Sequence, residues 1–292
     1  METTTYHQIA DLYNAPNLSY DLKIEFTIHS IPGIHPQIPF KSPVLRDDYF
    51  TFVLTKYGSG FYFLDDNKFS FGSRSLYFTN PGHTLSYELQ ESEEAFVITM
   101  SEKFLREYVH PDIYREFPFL LAEIVPPTNL SVTDFEEFEV LYRQIRYEFN
   151  KESRFKSKIL GNFMGILLLS IKEKFWINYD PIADGNEHSQ IVHSFKLLLE
   201  SEFKKVLKNG QYESKLQLKD FADKLNLHPS YLDSVIISKT GRTVYDWITE
   251  RMLSVAKRIL VNTSISAKEI ANRLGFSEPA NISPHIFRNL KN

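Results

Sequence analysis

Between residues 22 and 100 the apolar positions come in short runs cut by turn residues. YFTFVLTKYGSGFYFLDDNKFSFGSRSLYFTNPGH and EAFVITM consist of strand-length pieces rich in Phe, Tyr, Val and Ile, side chains that suit a pleated, half-buried surface. Gly58, Gly60, Asp65-Asp66-Asn67, Gly72 and Asn80-Pro81-Gly82 supply turn chemistry between the pieces. This pattern predicts a small β-barrel or double-sheet roll over 1–100. After Ser101, a capping-type residue, the apolar spacing lengthens to three and four. VTDFEEFEVLYRQIRYEF places Phe135, Phe138, Leu141, Tyr142, Ile145 and Phe149 on one helical face, and Ile159, Phe163, Ile166, Leu167, Ile171 and Phe175 form a second stripe. Two long helices are expected within 101–179, packed in the core of one chain or pairing with a second copy. Asp180-Pro181 and Asp184-Gly185-Asn186 break helices, which puts a linker at 180–189.

The remaining stretch, 190–292, contains one pattern twice. LKDFADKLNLHPSYL and AKEIANRLGFSEPANI align at an offset of 49 residues, with Phe221-Ala222 matching Ile270-Ala271 and Leu225 matching Leu274. A large apolar residue, an Ala and then a Leu form a stripe in which the Ala lets another helix cross closely. Each copy then turns, with Leu227 or Phe276 plugging the angle between two helices, and Gly275 suits a left-handed turn. This is helix-turn-helix logic. Between the copies, VYDWITERMLSVAKRIL sets Val244, Trp247, Ile248, Met252, Val255, Ala256, Ile259 and Leu260 mostly on one face, the signature of one long joining helix. Two such units suit successive major grooves on one side of a duplex.

Charge sharpens this division. The net charge of −4 conceals a basic 190–292, with 16 Lys and Arg against 10 Asp and Glu, and an acidic 1–189, with 17 against 27. One part is built to meet a polyanion and the other is not. The absence of cysteine excludes disulfides and thiolate metal sites and agrees with a cytoplasmic location. No apolar run is long enough to span a bilayer, and the polar opening residues lack the apolar core of a signal peptide, so neither export nor a membrane partner is expected.

LKDFADKLNLHPSYL, TGRTVYDWITERMLSVAKRILVNT and SISAKEIANRLGF, in this order and spacing, resemble the AraC-type transcriptional regulators over about 190–283. KYGSGFYFLD and LYFTNPGHTLSYEL, followed by helices, are more loosely similar to the sensory and dimerising half of that family. The resemblance implies an α+β multidomain chain: a cupin-like β-barrel with packed helices, then an all-α domain with two helix-turn-helix units. It further implies binding of double-stranded promoter DNA, control by a small-molecule effector in the barrel, a homodimer through helices 132–177, and RNA polymerase as a partner of an activator. Mapped by motif, the first reading helix presents Ser230, Tyr231, Asp233 and Ser234, with Lys239 and Arg242 nearby. The second presents Asn281, Ser283 and His285, with Arg288 near phosphate.

The departures from the family pattern are specific. The reading helices hold little Arg or Lys, the residues that fork to guanine and neutralise phosphate. Asn281-Ile282 replaces an aromatic pair, Pro284 is inserted, and the chain stops at Asn292, before the usual Gly and Ser-Pro. Proline costs about 3 kcal/mol inside a helix but is favoured at its first position. The first unit is therefore expected to read DNA as folded, and the second to bind more weakly or to order only on DNA.

Among the ring-bearing residues, Phe52, Phe61, Phe63 and Phe78, with His83 after its turn, are the candidates for an effector pocket; core packing is the other reading of the same rings. The histidines lack the clustered His-x-His with a carboxylate that a metal-holding barrel would want, and no phosphate loop or nucleophile elbow occurs. No catalysis, metal or cofactor is expected. The alternative to a working regulator is a small-molecule-binding protein with a degenerate or truncated DNA-binding domain; a cupin-type enzyme is the remaining one.

Overall fold

The computed structural model describes residues 4–6, 25–31, 33, 35, 37–65, 67–122, 125–179, 187–209 and 216–262. The chain divides into two compact units, Met1–Gly185 and Asn186–Asn292. Among the described residues no helix is long and apolar enough to cross a membrane.

Two long strands organise the first unit. β5 (Tyr49–Leu64) pairs antiparallel with β8 (Thr84–Ser101), from Tyr49 opposite Ser101 to Leu64 opposite Leu85. Its first half is flanked by β7 (Ser75–Thr79), while β2 (Phe26–Ile31) lies against the matching end of β8. The second half is flanked by β6 (Asn67–Phe71), with β3 (Phe40–Lys41) and β4 (Leu45–Asp47) on β8. β1 (Thr4–Tyr6), parallel to β4, and β9 (Thr128–Asn129), on β7, end the hydrogen-bonded path. β1 and β9 were not expected from the sequence pattern.

Register shifts at Thr55/Tyr57, Tyr57/Gly58 and Ser59/Gly60 interrupt the long ribbon where its two halves meet. Such bulges bend a strand, and the halves come to share one core, in which Val53 and Tyr77 from one meet Tyr62 and Leu64 from the other. Gly60 is required at the bend: a Cβ there would stand 2.2 Å from the Glu88 carbonyl oxygen and 2.6 Å from the Phe71 ring. The expected barrel is thus an open sheet among the described residues, because the strand path ends at β1 and β9 instead of returning on itself.

The other face of the sheet is covered by helices. Ser101 caps the short turn α1 (Glu102–Phe104), its hydroxyl accepting the Phe104 N–H at 3.0 Å; α2 (Ile113–Glu116) follows. α3 (Val132–Asn150) begins at Ser131, whose hydroxyl accepts the Asp134 N–H at 3.1 Å, and buries Phe135, Phe138, Tyr142, Ile145 and Phe149 along the expected stripe. Against this face lie the buried Phe26, with rings of Phe104 and Phe149 beside it, and Phe96, with Tyr142.

α4 (Lys156–Phe175) differs from expectation. It buries Leu160, Gly161, Met164, Leu167, Leu168 and Ile171, whereas Ile166 and Leu169 are about half exposed. The middle of this helix, 159–171, is apolar on most sides, so periodicity does not choose a face. The close approach at Gly161 does: a Cβ there would stand 2.4 Å from the Tyr108 carbonyl oxygen.

Among its described residues the second unit has helices and no strand: α5 (Glu187–Asn209), α6 (Leu218–Lys224), α7 (Pro229–Thr240) and α8 (Val244–Asn262). α5 begins inside the segment read as linker. One core joins all four, with Phe195 and Leu199 of α5, Phe221 and Ala222 of α6, Leu232 and Ile236 of α7, and Trp247 and Met252 of α8. Phe195 meets Phe221 edge-on at 5.4 Å, a favoured aromatic geometry. Residues 263–292, with Asn281, Ser283, Pro284, His285 and Arg288, lie outside the described residues.

Candidate nucleic-acid interface

α6, its turn and α7 present one open helix face, and each boundary has a local cause. The Asp220 carboxylate accepts the Gln217 N–H at 2.7 Å and so starts α6. The turn is made by Asn226 at φ 55°, at the position that Gly275 occupies in the second copy; Asn tolerates this left-handed conformation. The Leu227 N–H then donates to the Ala222 carbonyl at 2.9 Å, and Leu227 itself packs on the core. Pro229 opens α7 at the position proline favours, and Gly241, at φ 72°, closes it.

A polar bracket holds this motif. Glu202 on α5 is 2.8 Å from Lys224 of α6 and 2.8 Å from Lys205. Burial works against its ionisation, but the two ammonium groups outweigh it and hold the carboxyl below its usual range. Arg251 of α8 meets Glu200 of α5 at 3.0 Å with both side chains buried. Trp247 lies between the Lys196 and Arg242 cations, each 4.6 Å from its ring centroid, and its indole N–H donates to the Thr240 hydroxyl at 3.2 Å.

The exposed side of α7 borders a groove of about 780 Å³, lined by Ser230, Ser234, Ile237 and Ser238 together with His228, Asp233, Pro229 and Leu218. Of the expected contact residues, Ser230, Asp233 and Ser234 are therefore together on one face, and Tyr231 is exposed beside them. Lys239 and Arg242 are not in the groove lining. Arg242 is held by Glu250 at 2.5 Å. Asp233 also has an internal partner, since its Oδ1 accepts the Val244 N–H at 2.9 Å at the start of α8. His228 was not singled out from the sequence, yet its Nδ1 is 2.7 Å from the Ser230 hydroxyl. The spacing 230, 234, 237, 238 was the available signal for the complete face.

In the first unit the five candidate effector residues do not form one site. Phe52 and Phe78 are buried and stacked, centroids 5.1 Å apart, and Phe78 meets Phe119 and Trp176 edge-on. Phe61 and Phe63 are partly exposed, with the Lys68 ammonium 3.9 and 5.5 Å from their ring centroids. His83 stands 2.7 Å from the Asp65 carboxylate, which also accepts from Thr84. Burial of Asp65 opposes ionisation, but these partners prevail and its pKa falls well below the usual carboxylate range.

A different ring cluster faces the core shared by the halves of the sheet. Tyr62 stacks on Tyr77 at 4.8 Å and on Phe69 at 5.0 Å. His35 stacks on Phe40 at 3.7 Å and hydrogen-bonds the Tyr87 hydroxyl at 2.6 Å, and burial lowers its pKa. Among the described residues no group of three His, Asp or Glu side chains is placed to hold a metal.

The family model described as a helix-turn-helix domain matches residues 221–291. The uncharacterised HTH-type transcriptional regulator YfiF of Bacillus subtilis is 21% identical over 245 residues, which cover 80% of this chain and 74% of that protein. The Msm operon regulatory protein of Streptococcus mutans is 33% identical over 78 residues, 27% of this chain and 28% of that protein. Among solved structures, apo ToxT from Vibrio cholerae is similar with a TM-score of 0.38 and 16% identity, covering 91% of this chain and 93% of that one.

Proposed function

We propose that this chain is a transcriptional regulator of the AraC type, and that the exposed face of α7 enters the major groove of promoter DNA. The observation that carries this reading is the groove along Ser230, Ser234, Ile237 and Ser238, on a helix fixed at both ends by Pro229 and Gly241. Ser234 is its leading contact residue, with Ser230 beside it; Tyr231 approaches the backbone, and Lys239 adds positive charge at the end of the helix. The repeated unit containing Asn281, Ser283, His285 and Arg288 supplies a second, weaker contact.

The first unit then serves as a cupin-like sensor. An effector with a flat apolar part suits the rings of Tyr62, Phe69, Tyr87 and Phe40, which gather in the core shared by the halves of the sheet. Two copies pair along α4, where the outward Asn162, Ile166 and Leu169, with the partly buried Ile159 and with Phe155 just before the helix, alternate in spacings of four and three, the spacing of a coiled-coil seam. The protein acts in the cytoplasm, with RNA polymerase as partner if it activates.

The test is equilibrium binding of the full chain to genomic duplex fragments at 50 and 200 mM salt. Selective binding that weakens about 10³-fold or more across that range is expected for six or more phosphate contacts. Absence of any selective duplex would reject the reading in favour of a small-molecule binder that does not act on DNA.

A further inference from the structure

The residues lining the groove leave α7 with an unusual chemistry for a reading helix. None is Arg, Lys, Asn or Gln, the side chains that make bidentate contacts to guanine or adenine in the major groove. The polar groups present are largely engaged inside the protein. The Asp233 carboxylate accepts the Val244 N–H, Ser230 is bonded to His228, and the Ser238 hydroxyl donates to the Val235 carbonyl at 2.9 Å. Arg242, one of the two expected cations, is paired with Glu250 and lies over Trp247.

Besides Tyr231 at its edge, two features remain on the face: the Ser234 hydroxyl, which can bond to any base pair, and the side chain of Ile237, 40% exposed between small serines. A β-branched apolar side chain at that position does nothing for the core of the unit, which is closed by its neighbours Val235 and Ile236. Serines on either side allow close approach to a base edge. The one apolar group that base pairs offer in the major groove is the thymine methyl.

We infer that the first helix-turn-helix recognises thymine-bearing base pairs through methyl contact with Ile237, and does not select guanine. The inference rests on α7 being the DNA-reading helix. Specificity in this unit then comes from shape and methyl position, with affinity left to phosphate contacts elsewhere.

The experiment starts from duplexes selected out of a random pool by the full-length protein. Each thymine of the selected duplex is replaced singly by deoxyuridine, which removes only the methyl group, and affinity is measured for the wild type, Ile237→Ala and Ile237→Val. The wild type is expected to lose about fourfold at one or two positions, the scale of one buried methyl group. Ile237→Ala loses that discrimination at the same positions and Ile237→Val keeps part of it, while both variants retain the wild-type melting curve. Selective duplex binding with no uridine-sensitive position would overturn the inference and leave the DNA reading intact. So would uridine sensitivity that persists undiminished in Ile237→Ala, or a guanine preference that this variant alters. Failure to select any duplex would overturn both.

Discussion

Asp233→Ala separates a structural role from a DNA contact at one residue. The carboxylate accepts the Val244 N–H at 2.9 Å, one of the amides at a helix start that have no partner within the helix. The adjacent capping box survives the change, with Asp246 accepting the Thr243 N–H at 2.9 Å and the Thr243 hydroxyl accepting the Asp246 N–H at 3.1 Å. The loss is one charge-assisted hydrogen bond and one anion near the positive end of α8, together about 1.5–2 kcal/mol. Asp233→Asn keeps an acceptor oxygen and should lose less than half of that. The chain has two tryptophans, Trp176 in the first unit and Trp247 in the second. In a Trp176→Phe background, fluorescence therefore follows the second unit alone during urea unfolding. With a urea slope of about 1.5 kcal/mol/M, the midpoint should fall by about 1 M for Asp233→Ala. An unchanged midpoint in the alanine variant, or equal falls in both, would refute the capping argument and return Asp233 to the DNA-facing role.

Three further outcomes follow from the packing. Gly60→Ala drives a Cβ into the Glu88 carbonyl and the Phe71 ring; overpacking of this kind costs about 3 kcal/mol, and the Trp176 unfolding transition should move to lower urea. Glu200→Ala removes the carboxylate that meets the buried Arg251 guanidinium, a loss of about 3–5 kcal/mol in the Trp247 transition, while a Glu200→Leu, Arg251→Met double variant should recover most of it. His29 is held to a pKa of about 4, chiefly by burial and secondarily by Arg146. The unfolded chain takes up this proton near 6.5 and the native one only near 4, so stability present above pH 6.5 is lost as pH falls towards 4. After allowance for solvent, the first unit should lose about 2 kcal/mol between pH 7 and pH 4 by urea midpoint, and His29→Gln should flatten that dependence.

Legibility in the sequence followed how local the deciding interaction is. α3 could be read from its stripe, because polar residues predominate on its other faces, with only Val132, Val140 and Tyr147 exposed among them. The bounds of α7, which were not read from the sequence, lie at Pro229 and Gly241, whose backbone preferences act within their own residues. The buried face of α4 was hidden, since its middle, 159–171, is apolar on most sides and is oriented by the contact of Gly161 with Tyr108, distant in sequence. The open path of the sheet was hidden for the same reason: β5 and β8 look like ordinary strands until their pairing partners are known. Within the interface, the exposed serines could be placed by spacing, whereas the engagement of Asp233 with Val244 and of Arg242 with Glu250 depends on how α7 meets α8. The aromatic wealth of the first unit divides between the faces of one sheet, which alternation along β5 predicts but cannot assign.

The most direct test of the DNA-reading account is a negative charge placed on the α7 face. Ser234→Glu should leave the fold intact, because this side chain is exposed, and place an anion against the duplex. The account predicts that the full-length variant, compared with wild type on the same selected duplex at fixed salt, binds at least 100-fold more weakly with an unchanged melting curve. Equal affinity of the two proteins would contradict it.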